Sequence, residues 1–271
     1  MRFKWLDSKA LILKSGKDLV TSLVAAAVVT AVGFAIGSAS LASAQDLSRQ
    51  PSAVEAAFLK ENDAAMTKMM NDMAVKPTGD VDHDFVAMMS PHHQGAIDMS
   101  EAELRYGHNE QLIRIAQNIV VEELQEIAAM RAASGEKLTP TEATLAANFA
   151  VTAAGPGFSS PVPADKVPPS PKTERPFLAE NVAAMTKMMN DMTIKPTGNI
   201  DRDFVAMMVP HHQGAIHMAQ AELRYGREAQ LKRIAQEIIV DQIQQISLMR
   251  LAVGDPLPPS VSSPTDPLPG R

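Results

Sequence analysis

The sequence predicts an all-α protein, a helical bundle built from two repeats of about three helices each. Three observations carry this prediction. Residues 58–131 recur without a gap as residues 177–250, and only 23 of the 74 aligned positions differ. Hydrophobic residues make up 45% of the 271-residue chain but aromatic ones only 4%, so the core must rest on Leu, Ile, Val, Ala and Met, as packed helices allow. Apolar residues follow the helical i, i+3, i+4, i+7 spacing, and no window alternates convincingly with period two, so strands are not expected.

Within the first repeat, a helix from about Val54 to Met73 stops before Pro77-Thr78-Gly79 and carries Met66, Met69, Met70 and Met73 on one stripe. A second starts near Asp82 as N-cap and ends at Tyr106, where Gly107 stops it. The third spans about Glu110 to Ala132, with Leu112, Ile115, Ala116, Ile119, Ile127 and Met130 on a common face. Pro91 and Pro210 fall inside the second helix of each repeat, where proline removes a backbone hydrogen bond at a cost of ~3 kcal/mol. A duplicated helix breaker beside duplicated histidines favours a kink that aims the side chains. The alternative is a restarted helix with Pro at its first position, for which Ser90 could act as cap but Val209 could not.

The expected organisation is a repeat over 54–132, a linker over 133–176, a second repeat over 177–253 and a disordered Pro-rich tail over 254–271. The linker holds a short weak helix around Thr141 to Val151, followed by a Pro/Ser/Gly-rich stretch. Residues 1–44 read as an export signal: Lys4, Lys9, Lys14 and Lys17 lead, Leu19 to Gly37 is uncharged, and Ala42-Ser43-Ala44 offers a cleavage site. The apolar stretch approaches the ~20 residues that span a bilayer, so an uncleaved anchor is the rival reading. Either way the remainder is expected outside the cytoplasm, periplasmic or secreted, with membrane contact only through this segment if it is retained.

The chain carries a formal charge of −6, and the first 44 residues contribute five basic and two acidic groups, which leaves −9 for the rest. An acidic, aromatic-poor protein repels nucleic acid and anionic lipid and weakly attracts cations. Cysteine is absent, which excludes disulfide scaffolding, Cys-zinc sites and a thiol nucleophile. An exported protein that needs a soft ligand can use methionine instead.

All sixteen methionines after Met1 pair across the duplication at an offset of 119 residues. Met66, Met69, Met70, Met73, Met88, Met89, Met99 and Met130 match Met185, Met188, Met189, Met192, Met207, Met208, Met218 and Met249. Each copy also carries Met-Met-x-Pro-His-His-Gln-Gly-Ala, with His92 and His93 in the first and His211 and His212 in the second. At about 100° per residue, Met88, His92 and Met99 form one stripe, matched by Met207, His211 and Met218, while Met89/His93 and Met208/His212 lie on the neighbouring face. Adjacent histidines then point apart. His92 and His211 are expected to face inward, with His93 and His212 at the rim or behind them. The stripe of the first helix (Met66, Met69, Met70, Met73 and their counterparts) could complete such sites. Imidazole alone suits zinc, copper or nickel; thioether beside it favours Cu(I). Methionine on a helical stripe is also ordinary core filler.

Other candidates read as structural. His83, His108 and His217 have no histidine in the other copy, although His217 could add a ligand in the second copy only. Glu123 and Glu126 become Gln242 and Gln245, which argues against an essential acid or base. Tyr106 and Tyr225 read as helix-end packing with Arg105 and Arg224 on terminal carbonyls, and Lys68/Asp72 and Lys187/Asp191 as surface pairs.

The pattern Asp84-Phe85-Val86-x-Met88-Met89-x-Pro91-His92-His93-Gln94-x-Ala96-Ile97-x-Met99, followed by Ile115-Ala116, Ile119 and Met130, resembles the domain-of-unknown-function family 305. The match covers both copies, about 150 residues. CopM-type members of that family are exported copper-binding proteins with a ferritin-like helical bundle. The resemblance implies metal-facing roles for Met89, His92, His93 and Met99 and for Met208, His211, His212 and Met218. Family members often show Gln then Glu late in the third helix, from which this chain departs.

The expected function is an exported protein, not an enzyme, that sequesters or delivers Cu(I), with the ion and a periplasmic exporter or acceptor as partners. Binding needs deprotonated imidazole, so affinity should fall below about pH 6.5. A Met-rich helical module that binds a partner without metal is the first alternative. A ferritin-like di-iron oxidoreductase is the second, and it lacks the Glu-x-x-His pairs that such sites use.

Overall fold

The computed structural model describes residues 51–153 and 171–257. The leader over 1–44, the stretch Pro156 to Pro169 and the tail beyond residue 257 lie outside the described residues. Among the described residues seven helices follow in order: α1 Ala53–Asp72, α2 Val81–Tyr106, α3 Glu110–Ala133, α4 Pro140–Ala153, α5 Pro171–Asp191, α6 Ile200–Tyr225 and α7 Ala229–Ala252. Among the described residues there is no strand, and no helix is long and apolar enough to cross a membrane. The bundle of two three-helix repeats predicted from the sequence is present.

Local chemistry sets the helix ends. Ser52 and Glu55 form a reciprocal capping box at the start of α1. The α1–α2 and α5–α6 turns need a left-handed residue, supplied by Gly79 (φ 90°) and Gly198 (φ 80°). Asp84 and Asp203 then clamp those turns by accepting from the backbone N–H of Thr78 and Thr197, each at 3.0 Å. The N-cap of α2 is Asp80, not Asp82. Asp82 reaches across to the other repeat instead, where its carboxylate accepts from the backbone N–H of Arg227 (2.9 Å) and Glu228 (2.8 Å) at the head of α7. Asp201 does the same for His108 and Asn109 at the head of α3.

These reciprocal caps tie one repeat to the other. Glu55 likewise accepts from Gly198 N–H, and Glu174 from Gly79 N–H. Within each repeat the outer helices pack on the long central one; between repeats α2 packs on α6 and α3 on α7. The buried side chains form one continuous core with Phe58, Phe85, Phe177 and Phe204 fully enclosed. The two copies therefore share a single bundle related by an approximate two-fold, the point that repeat spacing alone left open.

Several expectations change. The chain passes through Pro91 and Pro210 as unbroken α-helix, so no restart occurs, and the Ser90 hydroxyl caps nothing. The short helix expected around Thr141 to Val151 is α4, which packs on α3; the segment read as linker also takes in the head of α5, which carries Pro176 in its first turns. Arg105 and Arg224 do not serve terminal carbonyls. They pair with Glu61 on α1 and Glu180 on α5, and those carboxylates also accept from Tyr106 and Tyr225 hydroxyls, each at 2.7 Å. Lys68/Asp72 and Lys187/Asp191 are the exposed i, i+4 pairs expected.

Candidate metal centre

The packing of α2 against α6 places the Pro-His-His segments of both repeats side by side in the middle of the core. His92 and His211 occupy equivalent positions and meet there, with ring centroids 4.0 Å apart and planes inclined at 43°. Their sequence neighbours diverge as helical geometry requires: the His92–His93 and His211–His212 centroids are 6.4 and 6.3 Å apart. All four imidazoles are buried, at most 1% exposed. Of the two places expected for His93 and His212, the structure takes the one behind the central pair and not the rim. They turn away from the central pair but stay inside, towards α3 and α7.

Sulfur reaches this cluster from the opposite repeat. Met69 Sδ on α1 lies 3.3 Å from His211 Nε2 on α6. The approach is possible because residue 95 has no side chain: a Cβ there would sit 2.8 Å from Met69 Sδ and 3.3 Å from His211 Nε2. Gly214 opens the matching space for Met188 Sδ (2.9 Å) and His92 Nε2 (3.2 Å). Among the first-helix methionines, then, Met69 and Met188 are the ones at the imidazoles. Met66, Met73 and Met192 are buried nearby in the core, while Met70, Met185 and Met189 are half-buried. Met88, Met89, Met99, Met207, Met208 and Met218 are all buried in the same core. Their density around the cluster makes the interior soft and apolar. Replacing Gly95 with Ala is expected to cost about 1–3 kcal/mol of stability through overpacking and to separate the Met69 sulfur from His211. Urea unfolding checks the first effect and a Cu(I) competition titration the second.

On the outer side, His93 and His212 meet side chains that sequence reasoning set aside. His93 Nε2 lies 2.7 Å from Glu126 Oε2, off the line of a well-formed hydrogen bond. His212 Nε2 lies 2.6 Å from Gln245 Oε1. Gln242 Nε2 donates to Glu123 Oε1 (2.9 Å) and Gln245 Nε2 to Glu122 Oε2 (2.6 Å). Glu123, Glu126, Gln242 and Gln245 are at most 5% exposed. The signal that could have found them is the pair of Glu-to-Gln changes three residues apart on one face of the third helix. By contrast His83, His108 and His217 are exposed, and His217 takes no part in the cluster.

The electrostatics keep most of the rings neutral. Burial, reinforced by neighbouring imidazoles, holds His92 and His211 well below the usual histidine range. Burial also brings His212 down to about 3. For His93 burial acts downward too, but Glu123 and Glu126 more than reverse it and its pKa is raised. His92, His211 and His212 thus keep free lone pairs at pH values well below 6.5, and proton competition at them begins at more acid pH than the sequence implied.

Six ring nitrogens have no hydrogen-bond partner: both of His92, both of His93, and Nδ1 of His211 and of His212. Buried polar atoms without partners are costly and rare in folded proteins. Lone pairs of this kind beside thioether sulfur suit a soft cation. Among the described residues, no three His, Asp or Glu side chains converge as a metal-binding group of their own, so sulfur would have to complete any site here.

No curated protein and no solved structure shows significant similarity to this chain. The family described as Domain of unknown function (DUF305) matches residues 37–134 and 159–253, one match per repeat and together more than half of the sequence. The chain belongs to the DUF305 family, in two tandem copies.

Proposed function

We propose that this protein binds Cu(I) in the buried cluster between its repeats and acts, after export, to sequester the ion or hand it on. The observation that carries the reading is the crossed sulfur–imidazole contact. Met69 of one repeat meets His211 of the other over Gly95, and Met188 and His92 both border the matching space at Gly214. Thioether and neutral imidazole form a donor set that a soft monovalent ion prefers and that zinc, calcium or magnesium does not. The absence of cysteine suits an oxidising compartment, where methionine keeps its ligand character. The cluster offers no nucleophile or acid–base pair beside a cleft, so the reading is storage or transfer of the ion rather than bond chemistry. A periplasmic exporter or acceptor protein is the partner such a role calls for.

The test is an anaerobic titration of the full chain with Cu(I) in competition with a chromogenic chelator, with Zn(II) and Cu(II) as controls. The wild type should withdraw Cu(I) from the chelator. A His92→Ala/His211→Ala variant that keeps its helical circular dichroism should bind at least about 100-fold more weakly, since even outer-shell changes cost 10–100-fold. Failure of the wild type to compete, or unchanged affinity in the folded variant, would overturn the proposal.

A further inference from the structure

The two halves of the cluster are nearly superimposable in sequence but not in what stands behind the outer histidines. Glu126 faces His93; its counterpart by the 119-residue offset, Gln245, faces His212. The hydrogen bonds across the α3–α7 seam fix how that difference is read. Gln245 Nε2 donates to Glu122 Oε2, so its oxygen is the atom turned to His212. An amide oxygen only accepts, so His212 Nε2 must carry the proton and Nδ1 holds the free lone pair. Glu126 Oε2 stands 2.7 Å from the same nitrogen of His93, off the line of a well-formed hydrogen bond, so it faces that ring from the same side without fixing its tautomer. Both outer rings hold Nδ1 buried and without a partner, and on His212 that nitrogen carries the lone pair. His211 instead presents Nε2 to sulfur.

The orientation is thus shared and the charge is not. A carboxylate behind a ligating imidazole raises its basicity and adds a negative charge close to the bound cation; an amide in the same place orients the ring without either effect. The seam also explains why the asymmetry is stable. Glu123 and Gln242 are equivalent residues that meet across the approximate two-fold. Two carboxylates there would repel, whereas an acid and an amide hydrogen-bond.

We infer that Glu126 and Gln245 make the cluster an unequal pair, in which the His93 side takes a soft monovalent cation before the His212 side. This rests on the Cu(I) reading above. Glu126 and Gln245 are positioning residues: they act through the imidazoles and need not touch the ion. The affinity difference expected from such a change behind a ligand is on the order of 10-fold or more.

The full chain, labelled with 15N-histidine, is titrated with Cu(I), or with Ag(I) as a redox-inert probe. In the metal-free wild type, long-range 15N–1H spectra should show the Nε2–H tautomer at His212. At half-saturation the His93 resonances should shift before those of His212. Glu126→Gln should bring the two sides within a few-fold of each other, and the exchange Glu126→Gln/Gln245→Glu should make His212 shift first. A purely structural role for these side chains would leave the order of filling unchanged. Cation binding with both histidines filling together in the wild type, or in the same order in the exchanged variant, would overturn this inference and leave the copper reading standing. Absence of any cation binding in the wild type would overturn both.

Discussion

A His92→Leu/His211→Leu variant is expected to be more stable than the wild type in the absence of metal, and to lose the cation. Both imidazoles are enclosed in the core, His92 with neither nitrogen paired and His211 with Nδ1 unpaired. Each unsatisfied buried polar atom costs about 1–3 kcal/mol. Leucine fills a comparable volume with no polar atom, and its misfit to the flat slot between the rings recovers only part of that cost. The expected net gain is about 1–3 kcal/mol, which for a domain of this size raises the melting temperature by roughly 2–4 °C per kcal/mol. The same variant removes the central nitrogen donors, so Cu(I) competition should disappear. Urea and thermal unfolding in the presence of a chelator, followed by the copper titration, read both effects. A gain in stability coupled to a loss of binding is the signature of a core kept imperfect for function. Should the double leucine variant unfold as readily as the corresponding alanine variant, the histidines would be packing elements and the stability half of the case would fall.

How much of this was legible in the sequence follows from what periodicity can and cannot encode. The bounds of α1, α2 and α3 were readable to within a residue or so, because Pro77, Gly79 and Gly107 punctuate a clear 3.6-residue pattern. The inward face of α2 was readable too: Met88, His92 and Met99 lie on one stripe and all are buried. What a stripe does not say is which helix it meets. The stripe places Met69 on the inward face of its helix without naming a partner, and the structure sends its sulfur to His211 of the other repeat.

The same limit leaves His93 and His212 open between a rim and a place behind the inner pair, since an amphipathic helix read alone has only one inside. These helices are buried on two faces, one towards the central pair and one towards the α3–α7 seam. Comparing copies misled in one respect. The change from Glu123 and Glu126 to Gln242 and Gln245 looks like dispensability if the copies are separate. Across the two-fold it becomes complementarity, because Glu123 meets its own counterpart Gln242 and Gln245 meets Glu122. Asp82 shows the same lesson at a helix end, where its local pattern suggested an N-cap for α2 and its carboxylate instead caps α7.

The metal-free protein is also expected to lose stability steadily as pH rises from about 6.5 to about 9. Glu103 on α2 and Glu222 on α6 are fully enclosed and lie against Asp201 and Asp82, the residues that cap the opposite repeat. Burial first, then the neighbouring carboxylate, pushes Glu103 up to about 8 and Glu222 up to about 9. A folded-state pKa above the unfolded one contributes stability that is complete below the unfolded value near 4.5 and is lost as pH climbs through the folded value. Each such carboxyl contributes a slope of up to about 1.4 kcal/mol per pH unit in that window. The depressed His92, His211 and His212 have the opposite sign: their contribution is complete above about 6.5 and is lost as pH falls. Between about 4.5 and 6.5 the depressed imidazoles oppose the raised carboxyls, which also include Glu123 at about 8 and Asp241 at about 7; above 6.5 the carboxyls act without that opposition, and the raised His93 adds to their direction. Thermal melts from pH 5 to 9 with a chelator present would follow the decline. A Glu103→Gln/Glu222→Gln variant, whose amides do not titrate, should show a shallower alkaline loss, with the share of Glu123, Asp241 and His93 remaining, and exceed the wild type at pH 8.5. A wild type that gained stability from pH 6.5 to 9 would mean that these carboxyls are ionised in the fold and that water reaches the seam where Asp82 and Asp201 join the repeats.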